Sequence, residues 1–322
     1  MPISSSDTHF SRWDHLEGED ARIEGLAEAG DVKIGMVGLG RMGANMTERL
    51  RSRDHDVIGY DRNPETSEVA SLDELVGRLE RPRTIWCMVP SGDPTEETIR
   101  ALAELLDEGD LVVDGGNSYF RDSLRRAEEL DGRGILFCDA GVSGGIWGLA
   151  EGYCLMVGGN DEAIQRLEPA LVALAQEGGY AHVGPVGTGH FVKMVHNGIE
   201  YGLLQAYGEG FQLLQASSEF PDLDLSQIAE VWRHGSVVRS WLLDLAARAL
   251  EQDPGLDGIR GYVEDSGEGR WTVLEAVRSG VPVPAITDSL FARFDSRDDD
   301  PFAMKLIAAL RRQFGGHGVK EQ

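Results

Sequence analysis

Length, composition and charge limit what kind of protein this is. The chain has 322 residues, of which 41% are hydrophobic, and this is enough apolar material for two domains with their own cores. It carries 55 acidic against 30 basic residues, so its formal net charge is -25. A surface this negative repels nucleic acids and anionic membranes, so neither is an expected partner. It also resembles the surfaces of proteins kept soluble in concentrated salt, where screening shortens charge repulsion.

The termini and the cysteines indicate a cellular compartment. Residues 1–31 are polar and acidic without a clear period, so we expect a flexible N-terminal extension. No signal peptide and no long apolar run is visible, which predicts a cytoplasmic protein outside the membrane. Cys87, Cys138 and Cys154 lie in or beside apolar runs, without the spacing of a metal site or a disulfide framework. We therefore expect three buried free thiols, as a reducing cytoplasm favours.

From residue 32 onward, short β-rich runs alternate with segments of helical period. The predicted strands are 33–37, 57–60, 84–88, 111–113 and 135–138, and further strands are expected at 153–157 and 180–183. The predicted helices between them include 42–53, 94–106 and 118–130. This alternation predicts an α/β fold with a doubly wound, mostly parallel sheet of the Rossmann type.

After Gly184 the β pattern ends and only helices are predicted. They cover residues 190–215, 225–234, 240–250, 272–278, 288–294 and 301–314. The first of these helices contains four glycines, and each lowers helix stability by about 1 kcal/mol relative to alanine. Either a close contact explains these glycines, or the helix is less stable than its apolar character suggests. We thus predict a dinucleotide-binding domain over 32–184 and an all-helical substrate and oligomerisation domain over 185–322.

A glycine motif follows the first predicted strand and opens the first predicted helix. It reads Gly38-Leu39-Gly40-Arg41-Met42-Gly43. Glycines at this spacing allow a tight turn, a close approach of the backbone to a pyrophosphate, and packing of helix on strand. The helix N-terminus then offers N–H groups to the phosphates. We therefore predict a dinucleotide cofactor rather than an ordinary glycine turn.

The residues that end the second predicted strand bear on which dinucleotide is bound. Asp61 lies where a carboxylate accepts hydrogen bonds from the adenine ribose, which favours NAD. Arg62 offers an alternative contact to the 2′-phosphate of NADP, and a solvent-exposed turn is compatible with either cofactor. Because a carboxylate repels a phosphate, NAD is the preferred prediction. The other expected cofactor contacts follow the third and fourth strands: Met88, Val89 and Asn117.

The beginning of the long predicted helix carries four polar side chains on one face. Around a helix, Asn197 lies about 40° from Lys193, Glu200 about 20° and His196 about 60°. A desolvated lysine, unlike arginine, can lose its proton. The apolar surroundings are expected from Phe191, Val192, Val195 and Ile199. Such a cluster predicts acid–base chemistry, and a structural Lys–Glu ion pair on a half-buried helix is the alternative.

Three separate segments carry a resemblance to a known family. They are residues 189–201, Asp114-Gly115-Gly116-Asn117-Ser118 and Val142-Ser143-Gly144-Gly145. Together they closely resemble the decarboxylating 6-phosphogluconate dehydrogenases, from about residue 32 to the C-terminus. The chain is similar to the compact members, which often prefer NAD. Enzymes of the 3-hydroxyisobutyrate type share the general plan but typically lack the His-Asn-Gly-Ile-Glu-Tyr segment.

The resemblance implies a reaction of the pentose phosphate pathway and a mechanism without a metal. 6-Phospho-D-gluconate would be oxidised at C3 and decarboxylated to D-ribulose 5-phosphate. Lys193 would be the general base toward the 3-hydroxyl and would later stabilise the enolate as an acid. Glu200 would be the general acid that protonates C1 of the enediol formed after CO2 is lost. Contacts to the substrate hydroxyls are expected from Asn117, His196 and Asn197.

The resemblance also implies contacts at both ends of the substrate. Ser143, Gly144 and Gly145 would bind the carboxylate. Tyr201 and Arg293 would contact the phosphate. A neighbouring subunit of a homodimer or homotetramer would supply two further contacts from its C-terminal tail, namely Arg311 and His317.

One predicted loop departs from the family pattern. Ser266 stands where a lysine usually contacts the phosphate, and Glu268 is unfavourable beside a dianion, although Arg270 offers compensation. Two other functions therefore stay open. One is another β-hydroxyacid dehydrogenase without obligatory decarboxylation, in which Arg293 and Arg311 matter little. The other is a non-catalytic nucleotide-binding protein, against which the acid–base cluster argues.

Overall fold

The computed structural model describes residues 31–315 and residue 320, and the chain divides into two units between Gly189 and His190. The first unit contains a seven-stranded sheet with strands Lys33–Val37 (β1), Asp56–Tyr60 (β2), Thr84–Cys87 (β3), Leu111–Asp114 (β4), Leu136–Ser143 (β5), Tyr153–Gly158 (β6) and Ala175–Gly184 (β7). Its helices are Arg41–Arg51 (α1), Leu72–Gly77 (α2), Asp93–Ala103 (α3), Phe120–Asp131 (α4), Gly148–Glu151 (α5) and Asp161–Leu174 (α6), and a 3-10 turn covers Gly145–Trp147.

The strands are arranged in the order β2-β1-β3-β4-β5-β6-β7. All neighbouring pairs are parallel except β5 and β6, which run antiparallel. The register pairs Val37 with Tyr60 and with Cys87, so the carboxyl ends of β1, β2 and β3 lie at one edge. Ligands of open α/β sheets bind outside this edge.

Both faces of the sheet are covered by apolar side chains. Successive strand residues point to opposite faces, and accordingly Met36 and Trp86 lie in one core cluster while Val37 and Ile85 lie in the other. Helix α1 closes the first cluster with Met46 and Leu50. The predicted doubly wound, mostly parallel sheet is confirmed.

The second unit is helical over its described residues. Its helices are Thr188–Gln215 (α7), which begins at the end of the first unit, Leu225–Arg233 (α8), Trp241–Gln252 (α9), Glu268–Ser279 (α10), Pro284–Asp295 (α11) and Phe302–Gly315 (α12). Ala229, Leu243, Ala247 and Leu250 form a small buried cluster between α8 and α9. Side chains of α7, including Phe211, pack against it.

Two elements and one cysteine differ from the sequence prediction. No helix is predicted over 161–174, yet α6 forms there around Pro169, with the Asn160 side chain accepting from the N–H of Ala163. Strand β5 continues to Ser143, beyond the predicted end at 138. The prediction of three buried thiols is wrong for Cys154, which is exposed because Tyr153 and Leu155 take the buried face of β6. Burial raises the pKa of the Cys138 thiol to about 12.

In the described part of the chain no helix has the length and apolarity to cross a membrane.

Candidate active site

The glycine loop lies between β1 and α1, at the edge of the sheet where ligands are expected. Gly38 has φ +93, and a Cβ there would lie 2.5 Å from the Met88 carbonyl oxygen. At Gly43 a Cβ would lie 1.9 Å from the carbonyl oxygen of Gly38. A Cβ on Gly40, in contrast, would meet nothing within 4 Å among the described residues. Two glycines therefore close the turn, and the third leaves space above the uncapped N-terminus of α1.

Asp61 is fixed at the end of β2. Its Oδ2 accepts from the N–H of Leu39 at 2.6 Å, and its Oδ1 accepts from the N–H of Asn63 at 2.8 Å. Arg62 is exposed and pairs with Glu97 at 3.1 Å. The carboxylate is thus attached to the glycine loop, whereas the guanidinium points to a neighbouring side chain on α3.

Asn117 lies exposed in the loop that follows β4. The loop is anchored below it by buried charges. Asp114 accepts from Arg126 at 3.1 Å and from the N–H of Gly116 at 3.2 Å. Arg126 also reaches Glu96 on α3 at 3.0 Å. Because Asp114 and Arg126 are almost fully buried, the loop has a rigid base.

Ser143, Gly144 and Gly145 lie at the end of β5 and the start of the 3-10 turn. Gly144 has φ +123 and Gly145 has φ +53, a backbone conformation that side chains disfavour. Ser143 is half-buried and Gly145 is exposed. The backbone N–H groups of such a turn are suited to a carboxylate.

Lys193 is buried on the first turns of α7, with 7% of its surface exposed. Its Nζ donates to Oδ1 of Asn197 at 2.5 Å, and Nδ1 of His196 lies 3.0 Å from the same oxygen. Asn197 is 8% exposed. Glu200 lies one turn beyond Asn197 and is half-buried. The helix thus brings Lys193, His196 and Asn197 into contact, and Glu200 follows them on the same helix.

The predicted apolar surroundings of this cluster are only partly present. Val192 and Val195 are half-buried, but Phe191 is 37% exposed and Ile199 is 54% exposed. The prediction that Phe191 and Ile199 surround Lys193 is wrong, because the helical rotation of about 100° per residue directs them to other faces of α7. Helix α10 contacts the cluster through Glu268, which accepts from the Asn197 that Lys193 contacts.

Glu268 is the residue that the sequence analysis did not place in the cluster. It is 2% exposed and begins α10. Its Oε1 accepts from Nδ2 of Asn197 at 2.9 Å, and its Oε2 accepts from the Ser266 hydroxyl. One carboxylate oxygen thus faces Asn197 and the other faces Ser266 of the predicted phosphate loop. The only signal for Glu268 in the sequence is its position, since it is a charged residue directly after a glycine at the start of a helix.

The predicted phosphate contacts Tyr201 and Arg293 lie against each other. The guanidinium carbon of Arg293 is 3.4 Å from the centre of the Tyr201 ring, and its NH1 donates to the carbonyl of Glu264 at 2.9 Å. The Tyr201 hydroxyl accepts from the N–H of Ser266 at 3.2 Å. Arg270 forms an ion pair with Asp265 at 2.7 Å. Tyr201, Arg293 and the loop 264–266 therefore form one polar cluster.

Of the two contacts predicted from the C-terminal tail, the structure describes Arg311 alone. Arg311 is exposed on α12. His317 lies outside the described residues.

A doubly wound sheet with a glycine loop, followed by a helical unit, is the architecture of nicotinamide-dependent dehydrogenases. Residues 33–187 match the family model of the NAD binding domain of 6-phosphogluconate dehydrogenase, and residues 189–305 match that of its C-terminal domain. The chain belongs to the 6-phosphogluconate dehydrogenase family.

Similar proteins agree with this assignment. The NAD(+)-dependent, decarboxylating 6-phosphogluconate dehydrogenase of Haloferax volcanii is 44% identical over 299 residues, which cover 89% of this chain and 98% of the relative. YqeC of Bacillus subtilis, provisionally named as a 6-phosphogluconate dehydrogenase, is 43% identical over 90% of this chain and 100% of its own. A solved 6-phosphogluconate dehydrogenase of Plasmodium falciparum has a TM-score of 0.76 at 27% identity, covering 90% of this chain and 66% of that longer chain.

Proposed function

We propose that the protein oxidises 6-phospho-D-gluconate with NAD and releases CO2 and D-ribulose 5-phosphate. The observation that carries the proposal is the buried amine of Lys193, hydrogen-bonded to Asn197 on the helix that follows the cofactor domain. The Haloferax volcanii relative, matched over nearly its whole length, carries this activity in its name.

The glycine loop fits a dinucleotide. The open space at Gly40 and the uncapped start of α1 suit a pyrophosphate, since the first N–H groups of a helix lack intrahelical partners. Further contacts from this loop are proposed for Leu39, Arg41 and Met42, with Met88 and Val89 at the end of β3. Asp61 would bind the adenine ribose, which supports NAD over NADP, since Arg62 already pairs with Glu97. When bound, the nicotinamide supplies the acceptor for the hydride that leaves C3.

Lys193 acts first as a base. A buried amine is more easily kept neutral than one in water. Neutral Lys193 takes the proton of the 3-hydroxyl while the C3 hydrogen leaves with its electron pair and the C3 carbonyl forms. Asn197 holds one N–H of the amine through its Oδ1. Because Asn197 accepts from the amine, it does not occupy the lone pair that takes the substrate proton.

Loss of CO2 follows from the product of that step. The C3 carbonyl accepts the electrons of the breaking C1–C2 bond, and the ammonium of Lys193 stabilises the enolate oxygen that results. Glu200 then donates a proton to the carbon that carried the carboxylate. The half-buried position of Glu200, two helical turns after Lys193, supports this assignment.

Other residues would bind the ends of the substrate. Asn117 and His196 would hold hydroxyl groups, and the turn Ser143–Gly145 would hold the carboxylate through N–H groups. At the phosphate end, Tyr201 and Arg293 are already in contact and would bind together.

We further propose that the chain forms a homodimer or homotetramer in the cytoplasm, in which Arg311 and His317 complete a neighbouring site. Support comes from the last described helix, α12, which exposes large apolar side chains at Phe302, Met304, Leu306, Ile307 and Leu310. Apolar surface of this kind favours association.

The test is to mix purified protein with 6-phosphogluconate and either NAD or NADP, at KCl concentrations from low to high. Reduced cofactor and released CO2 are followed together. We expect one CO2 per reduced cofactor and faster reduction with NAD. Reduction without CO2 would instead indicate another β-hydroxyacid dehydrogenase, and no turnover with any hydroxy acid a non-catalytic protein.

A further inference from the structure

Glu268 occupies a position for which the proposed chemistry has no role so far. Its carboxylate is 2% exposed, and it is separated from Lys193 by one side chain, Asn197. Burying a carboxylate is costly unless it is hydrogen-bonded. Here both oxygens accept hydrogen bonds, from Nδ2 of Asn197 and from the hydroxyl of Ser266.

The local backbone brings this carboxylate close to α7. Gly198 has no side chain, and a Cβ there would lie 2.8 Å from Cγ2 of Thr272, so α10 can approach α7 closely at this point. The Thr272 hydroxyl lies 2.9 Å from the carbonyl oxygen of Met194 and 2.8 Å from that of Glu268, and its one hydrogen is shared between these two acceptors. Glu268 also lies on the first turn of α10, where the helix dipole favours a negative charge.

An ionised carboxylate accepts hydrogen bonds and donates none. The atom of Asn197 that faces Glu268 must therefore be the donor Nδ2. The acceptor Oδ1 must then face Nζ of Lys193 and Nδ1 of His196, as the structure has it. Glu268 thus determines which end of the Asn197 amide the lysine meets.

This orientation matters for a neutral amine, which has one lone pair and two N–H groups. If Oδ1 faces the amine, Asn197 accepts from an N–H and does not occupy the lone pair. If the amide were reversed, Nδ2 would donate to that lone pair and occupy it. A lysine in the second arrangement cannot accept the proton of a substrate hydroxyl without first losing this hydrogen bond.

We propose that Glu268 is a positioning residue that fixes the Asn197 amide with its oxygen toward Lys193, so that Asn197 accepts from the amine of the base and does not donate to its lone pair. The inference rests on the proposed function, because it concerns the base of that reaction. It assigns to Glu268 an effect on the chemical step rather than on substrate binding.

The decisive variant is Glu268→Gln, which keeps the size and hydrogen-bonding capacity of the side chain. Glutamine can donate as well as accept, so both amides can reverse together without an unpaired group. A purely structural role predicts wild-type kinetics for this variant. Glu268→Ala removes the side chain altogether, and Glu275→Gln is the matched control on the same helix, where Glu275 pairs with Arg278 at 3.6 Å.

Each variant is assayed at its own pH optimum with NAD and 6-phosphogluconate, unlabelled or deuterated at C3. For Glu268→Gln we expect kcat to fall by about tenfold or more, with KM for the substrate within about threefold, because proton transfer and not binding is affected. The isotope effect on kcat should increase, since the chemical step becomes slower. Glu268→Ala should be at least as slow, and Glu275→Gln should match the unaltered protein.

Wild-type kcat and isotope effect in Glu268→Gln would overturn this inference and leave the proposed function intact. A change confined to KM would also overturn it. Absence of turnover by the unaltered protein would contradict the proposed function and the inference together. Thermal unfolding of each variant separates slow chemistry from loss of the fold, and Glu268→Gln is informative even if Glu268→Ala does not fold.

Discussion

Asp61 is the side chain that we propose to set the cofactor preference. Its two oxygens are held by the N–H groups of Leu39 and Asn63, so the carboxylate is fixed beside the glycine loop. A fixed negative charge can accept from ribose hydroxyls and repels a 2′-phosphate.

We predict that Asp61→Ala lowers kcat/KM with NAD by roughly ten- to a hundredfold, because hydrogen bonds to a charged group contribute about 1.5–3 kcal/mol. The value with NADP should change less, so the NAD/NADP ratio should fall. Steady-state kinetics with both cofactors measure this. Asp56→Ala, which removes an exposed partner of Lys33 at the other end of β2, is the control. An unchanged ratio would argue against the ribose contact.

At the residue scale the sequence predicted the cluster on α7 but not its partner. The spacing of Lys193, His196 and Asn197 follows from the helical period alone. Glu268 is 71 residues from Asn197, and no period links them. Its contact depends on how α10 packs against α7 at Gly198, which only tertiary structure determines.

Among the elements, the turn from β1 to α1 contains two glycines, Gly40 and Gly43, that lie in different surroundings. Gly40 faces open space, whereas Gly43 is pressed against the carbonyl of Gly38. We predict that Gly40→Ala keeps the midpoint of thermal unfolding nearly unchanged but weakens NAD binding by about tenfold or more, because its methyl group enters the pyrophosphate space. Gly43→Ala should lower the unfolding midpoint as well, since α1 must shift. Calorimetry and NAD titration measure both; equal behaviour of the two variants would contradict the assignment.

A charged cluster connects helices α3 and α4 beneath the Asn117 loop. Hydrogen bonds from Arg125 and Arg126 lower the pKa of Glu96 to about 2. A carboxylate with a depressed pKa stabilises the fold above its unfolded pKa, near 4.5, and this contribution is lost as the pH falls through that value toward 2.

We therefore predict that Glu96→Gln lowers the thermal midpoint near neutral pH and that this midpoint declines less as the pH falls. The pH-dependent part of the unfolding free energy that the variant loses is up to about 3 kcal/mol. Unfolding is followed from about pH 7 to about pH 3. The neighbouring exposed Glu97, which pairs with Arg62, serves as control in Glu97→Gln, because surface pairs contribute little. Parallel pH curves for Glu96→Gln and the unaltered protein would exclude this role.

Element types were predicted well where the period was strong. Strand β1 forms at the predicted residues, 33–37. Helix α6 was missed because Pro169 interrupts a helical pattern in sequence, although thirteen other residues and the Asn160 cap support the helix. Strand β5 was predicted too short, since the glycine and serine that lead it to the candidate carboxylate turn have low strand propensity.

On the scale of the whole molecule, the proposed cofactor contacts and the proposed base belong to different units. The glycine loop and Asp61 lie before Gly189, and Lys193, Asn197 and Glu268 lie after it. The formal net charge of -25 favours a surface adapted to salt, and this adaptation stays a prediction. The division means that cofactor binding and proton transfer can be altered separately.

Lys193→Met therefore tests the central claim most directly, because it keeps the length and apolar bulk of the side chain and removes only the amine. NAD affinity is measured by titration, and turnover of 6-phosphogluconate by cofactor reduction, with Lys305→Met on the exposed face of α12 as control. We predict that turnover falls by at least about a hundredfold while the Kd for NAD stays within about twofold. Lys33→Met, at the start of β1 where Lys33 pairs with Asp56, should keep both values and is the control outside the proposed association surface. Turnover by Lys193→Met at the rate of the unaltered protein would contradict the account.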